Sequence, residues 1–312
     1  MIRVDYAGPG GACEGLRTLG LTPVGIEWDA AACATRAAAG HLTIRADLAT
    51  YRPHHRPGTV DGYWSSPPCQ TFSTAGKGDG RDQLDDLAAV IHAERWTDAD
   101  LFDPRTRHVI DAARTAVELA PGWVAMEQVP AVLPLWRALA HVLERHGYST
   151  WCGVLCAADY GVPQTRRRAI LMASRVSAVS PPVPTHAERP GLFGGEWVAV
   201  EDVLPHRHGW SFAPLRGSGI TERFGARPAR PATKPAPTIR AWKDSRSEWQ
   251  RDGITEAPTT EELAVLQGFP PGYPFQGSPT RRHVQVGNAV PPPLAAHIVA
   301  ALTGAQVLRA AS

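Results

Sequence analysis

Ile2-Arg3-Val4-Asp5-Tyr6-Ala7-Gly8-Pro9-Gly10-Gly11 is the stretch that decides the fold. A short run of strand character enters a glycine turn, and residues 11–19 behind it read as a helix. Glycines at such a turn let a ligand approach the backbone closely, and the following helix offers unpaired N–H groups. The spacing is not that of a dinucleotide fingerprint, because Gly8 and Gly10 would need a third glycine where Cys13 stands. Outward from this turn the alternation repeats. Residues 22–27, 60–66, 123–127 and 169–173 have strand patterns, with a possible further strand before Asp47, whereas 30–39, 105–119 and 132–146 have helical spacing. The pattern predicts an α/β fold with a doubly wound, largely parallel sheet and helices on both faces.

The chain has 312 residues, about twice a typical domain of ~150. Its 43% hydrophobic and 20% charged residues suit a chain with a sizeable core and exclude wholesale disorder. Beyond Arg175 the texture changes: ten prolines between 181 and 237 forbid long helices. We expect a first domain over 1–175, a small loop-rich domain over 176–257, and a C-terminal segment, 258–312, returning to the first. That segment has helical patterns from Thr259 and over 292–302, with a turn-rich stretch at 268–277.

Net charge is +2, but ten Arg or Lys face three acids between Arg207 and Arg251, which leaves the rest of the chain five charges negative. A basic segment on a mildly acidic body suits a polyanionic partner, the alternative being an ordinary solvated basic surface. Five cysteines at irregular spacing argue against a secreted disulfide framework. No signal-like start and no apolar run of membrane length is apparent, so we expect a cytoplasmic protein without membrane contact. His54-His55, His206-x-His208 and Cys152-x-x-x-Cys156 lack companions at ligand spacing, so we expect no metal.

Two acids sit at strand ends. Glu27 is placed to accept from a ribose diol, with Trp28 as a flat surface beside it, and Asp47 to accept from an adenine amino group; for each the alternative is an ordinary surface acid. Ser65-Ser66-Pro67-Pro68-Cys69-Gln70-Thr71-Phe72-Ser73 follows an apolar strand. A cysteine held by a Pro-Pro turn at a strand end is presented outward, as a nucleophile requires, the alternative being a buried structural thiol.

At this point the chain resembles the C5-cytosine DNA methyltransferases. Tyr6 to Gly11 is similar to the family's Phe-x-Gly-x-Gly-Gly, Pro68-Cys69-Gln70 to its Pro-Cys-Gln, and Glu127-Gln128-Val129 to its Glu-Asn-Val. Gln164-Thr165-Arg166-Arg167-Arg168 resembles Gln-x-Arg-x-Arg, Leu266-Gln267-Gly268-Phe269-Pro270 resembles Leu-x-Gly-Phe/Tyr-Pro, and Gly287-Asn288-Ala289-Val290 resembles Gly-Asn-Ser/Ala-Val. These six blocks stand in the family's order over residues 1–303.

The resemblance implies an S-adenosylmethionine-dependent methyltransferase sheet with a small loop-rich target-recognition domain, acting on double-stranded DNA. It implies that the Cys69 thiolate adds to cytosine C6, that Glu127 engages N3 and the 4-amino group, and that Arg168, secondarily Arg166, binds O2 and orients the carboxylate. S-adenosylmethionine would be held by Tyr6, Gly8, Gly10, Gly11, Glu27, Trp28, Asp47, Pro68, Asn288 and Ala289. DNA contacts would come from Gln70, Ser73, Gln164, Thr238 and Arg240, the stretch Pro237-Thr238-Ile239-Arg240 being similar to the end of the family's recognition region. Residues 74–100 read as a long loop, expected to close as a lid over a cytosine flipped out of the duplex. The tryptophans read first as core packing, with Trp242 and Trp249 as the candidates for stacking on bases. We expect a monomer, with a cognate restriction endonuclease or a phage modification system as its biological partner.

Three departures stand out: Gln128 replaces the family's Asn, Val4 stands where Asp is common, and His108 replaces a Leu of the cofactor pocket. The Cys-Phe-Thr signature of tRNA-directed relatives is absent. A dinucleotide oxidoreductase and a catalytically silent paralogue remain the readings from other classes, the first opposed by Cys13 and the second by retention of Cys69, Glu127 and the arginines.

Overall fold

The computed structural model describes residues 1–51, 56–68, 71–72, 82–191, 194–214, 228–241 and 247–307. Chain order begins β1 (Ile2–Asp5), α1 (Gly11–Arg17), β2 (Pro23–Glu27), α2 (Ala30–Ala38), β3 (Thr43–Arg45) and β4 (Gly62–Ser65). It continues α3 (Leu84–His92), α4 (Pro104–Leu119), β5 (Trp123–Gln128), α5 (Leu133–Arg145), β6 (Ser149–Cys156), β7 (Gln164–Thr165) and β8 (Arg167–Ser174). These build a seven-stranded sheet in the order β3-β2-β1-β4-β5-β8-β6. The five strands β1 to β5 run parallel, and β8 lies antiparallel to both β5 and β6.

The strand sequences explain why the sheet is covered on both sides. Tyr63, Val124, Met126, Ala169 and Leu171 pack with α3, α4 and α5 on one face. Val4, Trp64, Ala125, Ile170 and Met172 pack on the other with Ala12 and Leu16 of α1 and with the last helix. Consecutive residues point to opposite faces of a strand, so a strand buried on both reads as a continuous apolar run. The C-terminal ends of β1, β2, β4 and β5 therefore form a crest where the chain leaves the core.

Beyond β8 the elements shorten: β9 (His186–Ala187), β10 (Gly195–Glu196), α6 (Val200–Val203), β11 (Ser211–Pro214), β12 (Arg230–Pro231), β13 (Ala236–Pro237), β14 (Ser247–Arg251) and β15 (Ile254–Glu256). A four-stranded sheet runs β12-β11-β14-β15, and β13 pairs with β7. Three helices follow, α7 (Thr260–Leu266), α8 (Pro279–Asn288) and α9 (Pro292–Thr303). A third core joins Phe212 and Trp249 to Leu263, Leu266, Phe269, Tyr273, Phe275 and Val286, whereas α9 packs against α1.

Three elements differ from the sequence reading. The stretch 74–100 is not loop throughout: α3 buries Leu87, Val90 and Ile91, apolar at helical spacing amid charges, so this part belongs to the body. Residues 74–81 of that stretch lie outside the described residues. Strand β6, without a clean alternation, completes the sheet edge. Helix α8 starts after the turn-rich stretch, with Ser278 accepting from Arg281 N–H as N-cap and Pro279 in its first turn. Trp249 is 0% exposed and meets Phe212 edge-on, so it packs in the core, the reading its sequence favours over stacking on bases; Trp242 lies outside the described residues.

Candidate functional site

The crest begins at the glycine turn. Tyr6, Gly8 and Gly10 have φ of 52°, 53° and 108°. Gly11 has no room for a side chain, since a Cβ there would lie 2.1 Å from the Val290 carbonyl oxygen. Its bareness lets the turn lie against the stretch that carries Asn288, which is exposed, and Ala289, which is buried. A Cβ at Gly8 would meet nothing within 4 Å, so the space above that residue is open.

Glu27, at the end of β2, is buried and fixed by backbone donors. Its Oε2 accepts from Gly8 N–H at 2.8 Å, and its Oε1 from Trp28 and Asp29 N–H, both at 2.8 Å. Trp28 beside it is 68% exposed. An anchored carboxylate, an open turn and a bare indole face fit the ribose and the flat base of S-adenosylmethionine. Tyr6 closes the turn's far side, with its hydroxyl 3.3 Å from His108 Nδ1 and the two rings edge-to-face. Asp47 is exposed and caps its own turn, Oδ1 accepting from Ala49 N–H at 2.9 Å. Val4, where an acid is common in the family, is core; the adjacent Asp5 is buried under a two-pronged ion pair with Arg3 and a hydrogen bond from Tyr63.

Strands β4 and β5 place the second half of the crest. Cys69, Gln70 and Ser73 lie outside the described residues, but the approach to them is fixed. Gln128, at the end of β5, donates from Nε2 to the Pro67 carbonyl at 2.6 Å and accepts the Val129 N–H on Oε1. The longer amide thus ties the strand end to the residue before Pro68. Next to it, Arg168 Nε stands 2.8 Å from Glu127 Oε1, both side chains largely buried. Register explains the meeting: Glu127 faces Ile170 across the β5–β8 pair, so Arg168, two residues before Ile170, shares its face of the sheet.

Other predicted residues have different fates. Arg166 is 2% exposed and donates to the Ile239 carbonyl at 3.1 Å and the Gly287 carbonyl at 3.0 Å. It fastens the segment before β8 to two distant stretches, and Arg168 alone of the two pairs with Glu127. Gln164 is 0% exposed; Nε2 donates to Leu266 O and Gln267 Oε1, and Oε1 accepts from Ile239 N–H. Its amide is consumed inside the protein, which corrects the expectation that it touches DNA. Thr238 gives its hydroxyl proton to the Thr165 carbonyl at 3.1 Å, so in this arrangement the hydroxyl is not the donor to a phosphate oxygen. Arg240 is half-buried where its peptide to Ala241 lies on Gly287, so tightly that a Cβ there would come within 2.4 Å. The sequence reading missed Gln267, which sits inside a matched motif and donates to Ala289 O at 2.6 Å, and Tyr273, six residues further on.

The family model of the C-5 cytosine-specific DNA methylases matches residues 6–190 and 221–304. The chain belongs to this family. Type II methyltransferase M1.HphI of Haemophilus parahaemolyticus is 28% identical over 84% of this chain and 74% of its own length. M.NgoMIV of Neisseria gonorrhoeae is 28% identical over 97% of this chain and 96% of its own. Among solved structures, the Dnmt2 methyltransferase of S. pombe superposes with a TM-score of 0.65 at 15% identity, covering 97% of this chain and 98% of that one. The DNMT2 of Spodoptera frugiperda does so with 0.66 at 16%, covering 96% and 98%. The reaction of this methylase is methyl transfer from S-adenosylmethionine to C5 of cytosine in DNA. Among the described residues no helix is long and apolar enough to cross a membrane, and no group of three or more His, Cys, Asp or Glu could hold a metal ion.

Proposed function

We propose that Cys69, Glu127 and Arg168 act together on a cytosine flipped out of duplex DNA, at the crest formed by β4 and β5. The observation that carries this is the Glu127–Arg168 pair, held beside the Pro67 carbonyl that Gln128 grips. Cytosine C5 is a poor nucleophile. Addition of the Cys69 thiolate to C6 forms an S–C6 bond and sends an electron pair toward C5, while Glu127 holds a proton at N3 and accepts from the 4-amino group. Arg168 fixes the carboxylate and binds O2, so charge building on the ring meets donors already in place. S-adenosylmethionine supplies the methyl group when bound. Loss of the C5 proton and departure of Cys69 restore the aromatic ring.

Glu27, Trp28 and the turn from Tyr6 to Gly11 form the cofactor site in this reading, with Asp47, Pro68, Asn288 and Ala289 around it. Residues 1–175 serve as catalytic domain, 176–257 as target-recognition domain, and 258–312 as a segment shared between them. The basic surplus of the middle stretch would hold phosphates: neutralising Arg216, Arg227 and Arg240 together should flatten the salt dependence of DNA binding by about 0.9 in log–log slope per lost contact, with cofactor binding intact. Arg216 and Arg227 lie outside the described residues. The relatives' type II names support a restriction–modification setting, in which the enzyme works as a cytoplasmic monomer beside a cognate endonuclease or in a phage modification system. Incubation with tritiated S-adenosylmethionine and duplex DNA, tRNA or neither tests the reading. Label in duplex DNA at cytosine C5 is expected, and label in tRNA alone would overturn it.

A further inference from the structure

The cofactor turn is held from behind by a side chain that belongs to another core. Pro9, between two left-handed glycines, has a carbonyl that starts no helical hydrogen bond, because the first one, from Glu14 N–H, goes to Gly10 O. Tyr273 supplies what it lacks: its hydroxyl donates to Pro9 O at 2.7 Å, in a buried setting. The ring is itself immobilised, with centroids 4.6 Å from Phe269 and 5.1 Å from Phe275, inside the core that also contains Phe212 and Trp249.

The hydroxyl's orientation is enforced. His41 Nε2 lies 3.1 Å from it, and since the tyrosine's only proton is spent on Pro9, the imidazole must be the donor. The same Nε2 is 3.4 Å from Glu14 Oε2, a carboxylate that also pairs with Arg17. Burial pushes the Glu14 carboxyl up, yet the neighbouring His41 and Arg17 prevail and hold it below the usual carboxylate range. Burial, then the Glu14 charge, pushes the Tyr273 phenol up, so it remains a donor. Gly10 completes the fit: a Cβ there would lie 2.7 Å from His41 Cδ2 and 2.8 Å from the Tyr273 hydroxyl. The neighbouring segment is bolted on as well, since Thr35 of α2 donates to Gln285 Oε1 at 2.6 Å and accepts from Gln276 N–H.

We infer that Tyr273, oriented by His41, is a positioning residue for the cofactor-binding turn, so that the core packed around Trp249 sets the shape of the S-adenosylmethionine site. The inference rests on reading residues 6–11 as that site. Tyr273→Phe keeps the ring and removes only the hydrogen bond to Pro9. Calorimetry on the full chain without DNA should show S-adenosylmethionine binding about tenfold weaker, the effect of one buried carbonyl left unpaired. KM for the methyl donor should rise in parallel, with kcat and duplex DNA affinity unchanged. His41→Ala, which frees the hydroxyl to turn away, should weaken the cofactor by about threefold, within the span of one hydrogen bond; it provides the test if Tyr273→Phe does not fold. A lowered unfolding midpoint with unchanged cofactor affinity in these variants would overturn the inference and leave Tyr273 a packing residue. Glu27→Ala separates the two levels. If it weakens the cofactor while Tyr273→Phe does not, only the inference fails; if neither variant does, the turn is not the cofactor site.

Discussion

The crest of the large sheet and the joint beneath the small one use the same residue types in opposite ways. At the crest, Arg168 meets a carboxylate, Glu127, and Glu27 lies under an open turn. At the joint, Arg166 and Gln164 give their hydrogen bonds to the backbone and amide groups of Ile239, Leu266, Gln267 and Gly287. Two arginines separated by one residue thus face the crest and a seam. A buried guanidinium that grips two carbonyls is a fastener whose loss exposes unpaired groups, whereas one placed on a carboxylate controls the orientation and charge of its partner.

The comparison breaks first if the crest does no chemistry. Cys69→Ala should abolish methyl transfer while duplex DNA still binds, because only the thiolate makes the bond to C6. With wild-type protein, DNA containing 5-fluorocytosine in the target site should give a gel-stable, cofactor-dependent adduct, since fluorine cannot leave C5 as a cation. Turnover by the alanine variant would remove the crest from the mechanism. Next in size, Glu27→Ala should cost about 1–3 kcal/mol of cofactor binding, as three backbone donors and the ribose lose their acceptor. Calorimetry on folded protein checks it, and unchanged affinity would place the ligand elsewhere.

Gln128→Ala should lower kcat by about tenfold, roughly the worth of the lost bond to Pro67. Stopped-flow methyl transfer reads this, and an unchanged rate would mean the loop is positioned without the amide. The smallest effect belongs to the far side of the joint. Burial raises the Glu262 pKa, but Arg207, the Thr259 N–H and His206 lower it further, to about 2. Its folded value lies below the unfolded 4.5, so its contribution to stability is present above that pH and fades as pH falls toward 2. The stability gap between wild type and Glu262→Gln, measured by urea unfolding, should therefore narrow as pH falls through this window. A gap independent of pH would show that Glu262 acts through shape rather than charge.

How much of this was legible follows the reach of each interaction. The glycine turn, the strand ends bearing Glu27 and Glu127, and the apolar runs of β4 and β5 are short-range patterns, and their periodicity suffices to place them. The meeting of Arg168 with Glu127 was accessible through the family resemblance alone, because it depends on the β5–β8 register. The fate of Arg166 is decided by Ile239 and Gly287, 73 and 121 residues away, and that of Tyr273 by Pro9, 264 residues away. No local spacing encodes such encounters. Helix α3 is a different case: its apolar spacing was present in the sequence but was outweighed by the glycines and charges around it.

The central claim is that Arg168 serves the reaction and Arg166 serves the fold, and one paired measurement tests it. Single-turnover methyl transfer and urea unfolding are compared for Arg168→Ala and Arg166→Ala on the same duplex. Arg168→Ala should slow transfer per folded molecule by about a hundredfold or more, as expected for a preorganised charge partner, a loss separate from any fall in stability caused by leaving the buried Glu127 carboxylate unpaired. Arg166→Ala should lose about 2–4 kcal/mol of stability through two unpaired carbonyls, and the folded fraction should transfer methyl groups at close to the wild-type rate. An Arg168→Ala enzyme with wild-type transfer, or an Arg166→Ala enzyme of wild-type stability whose transfer is lost, would contradict the account.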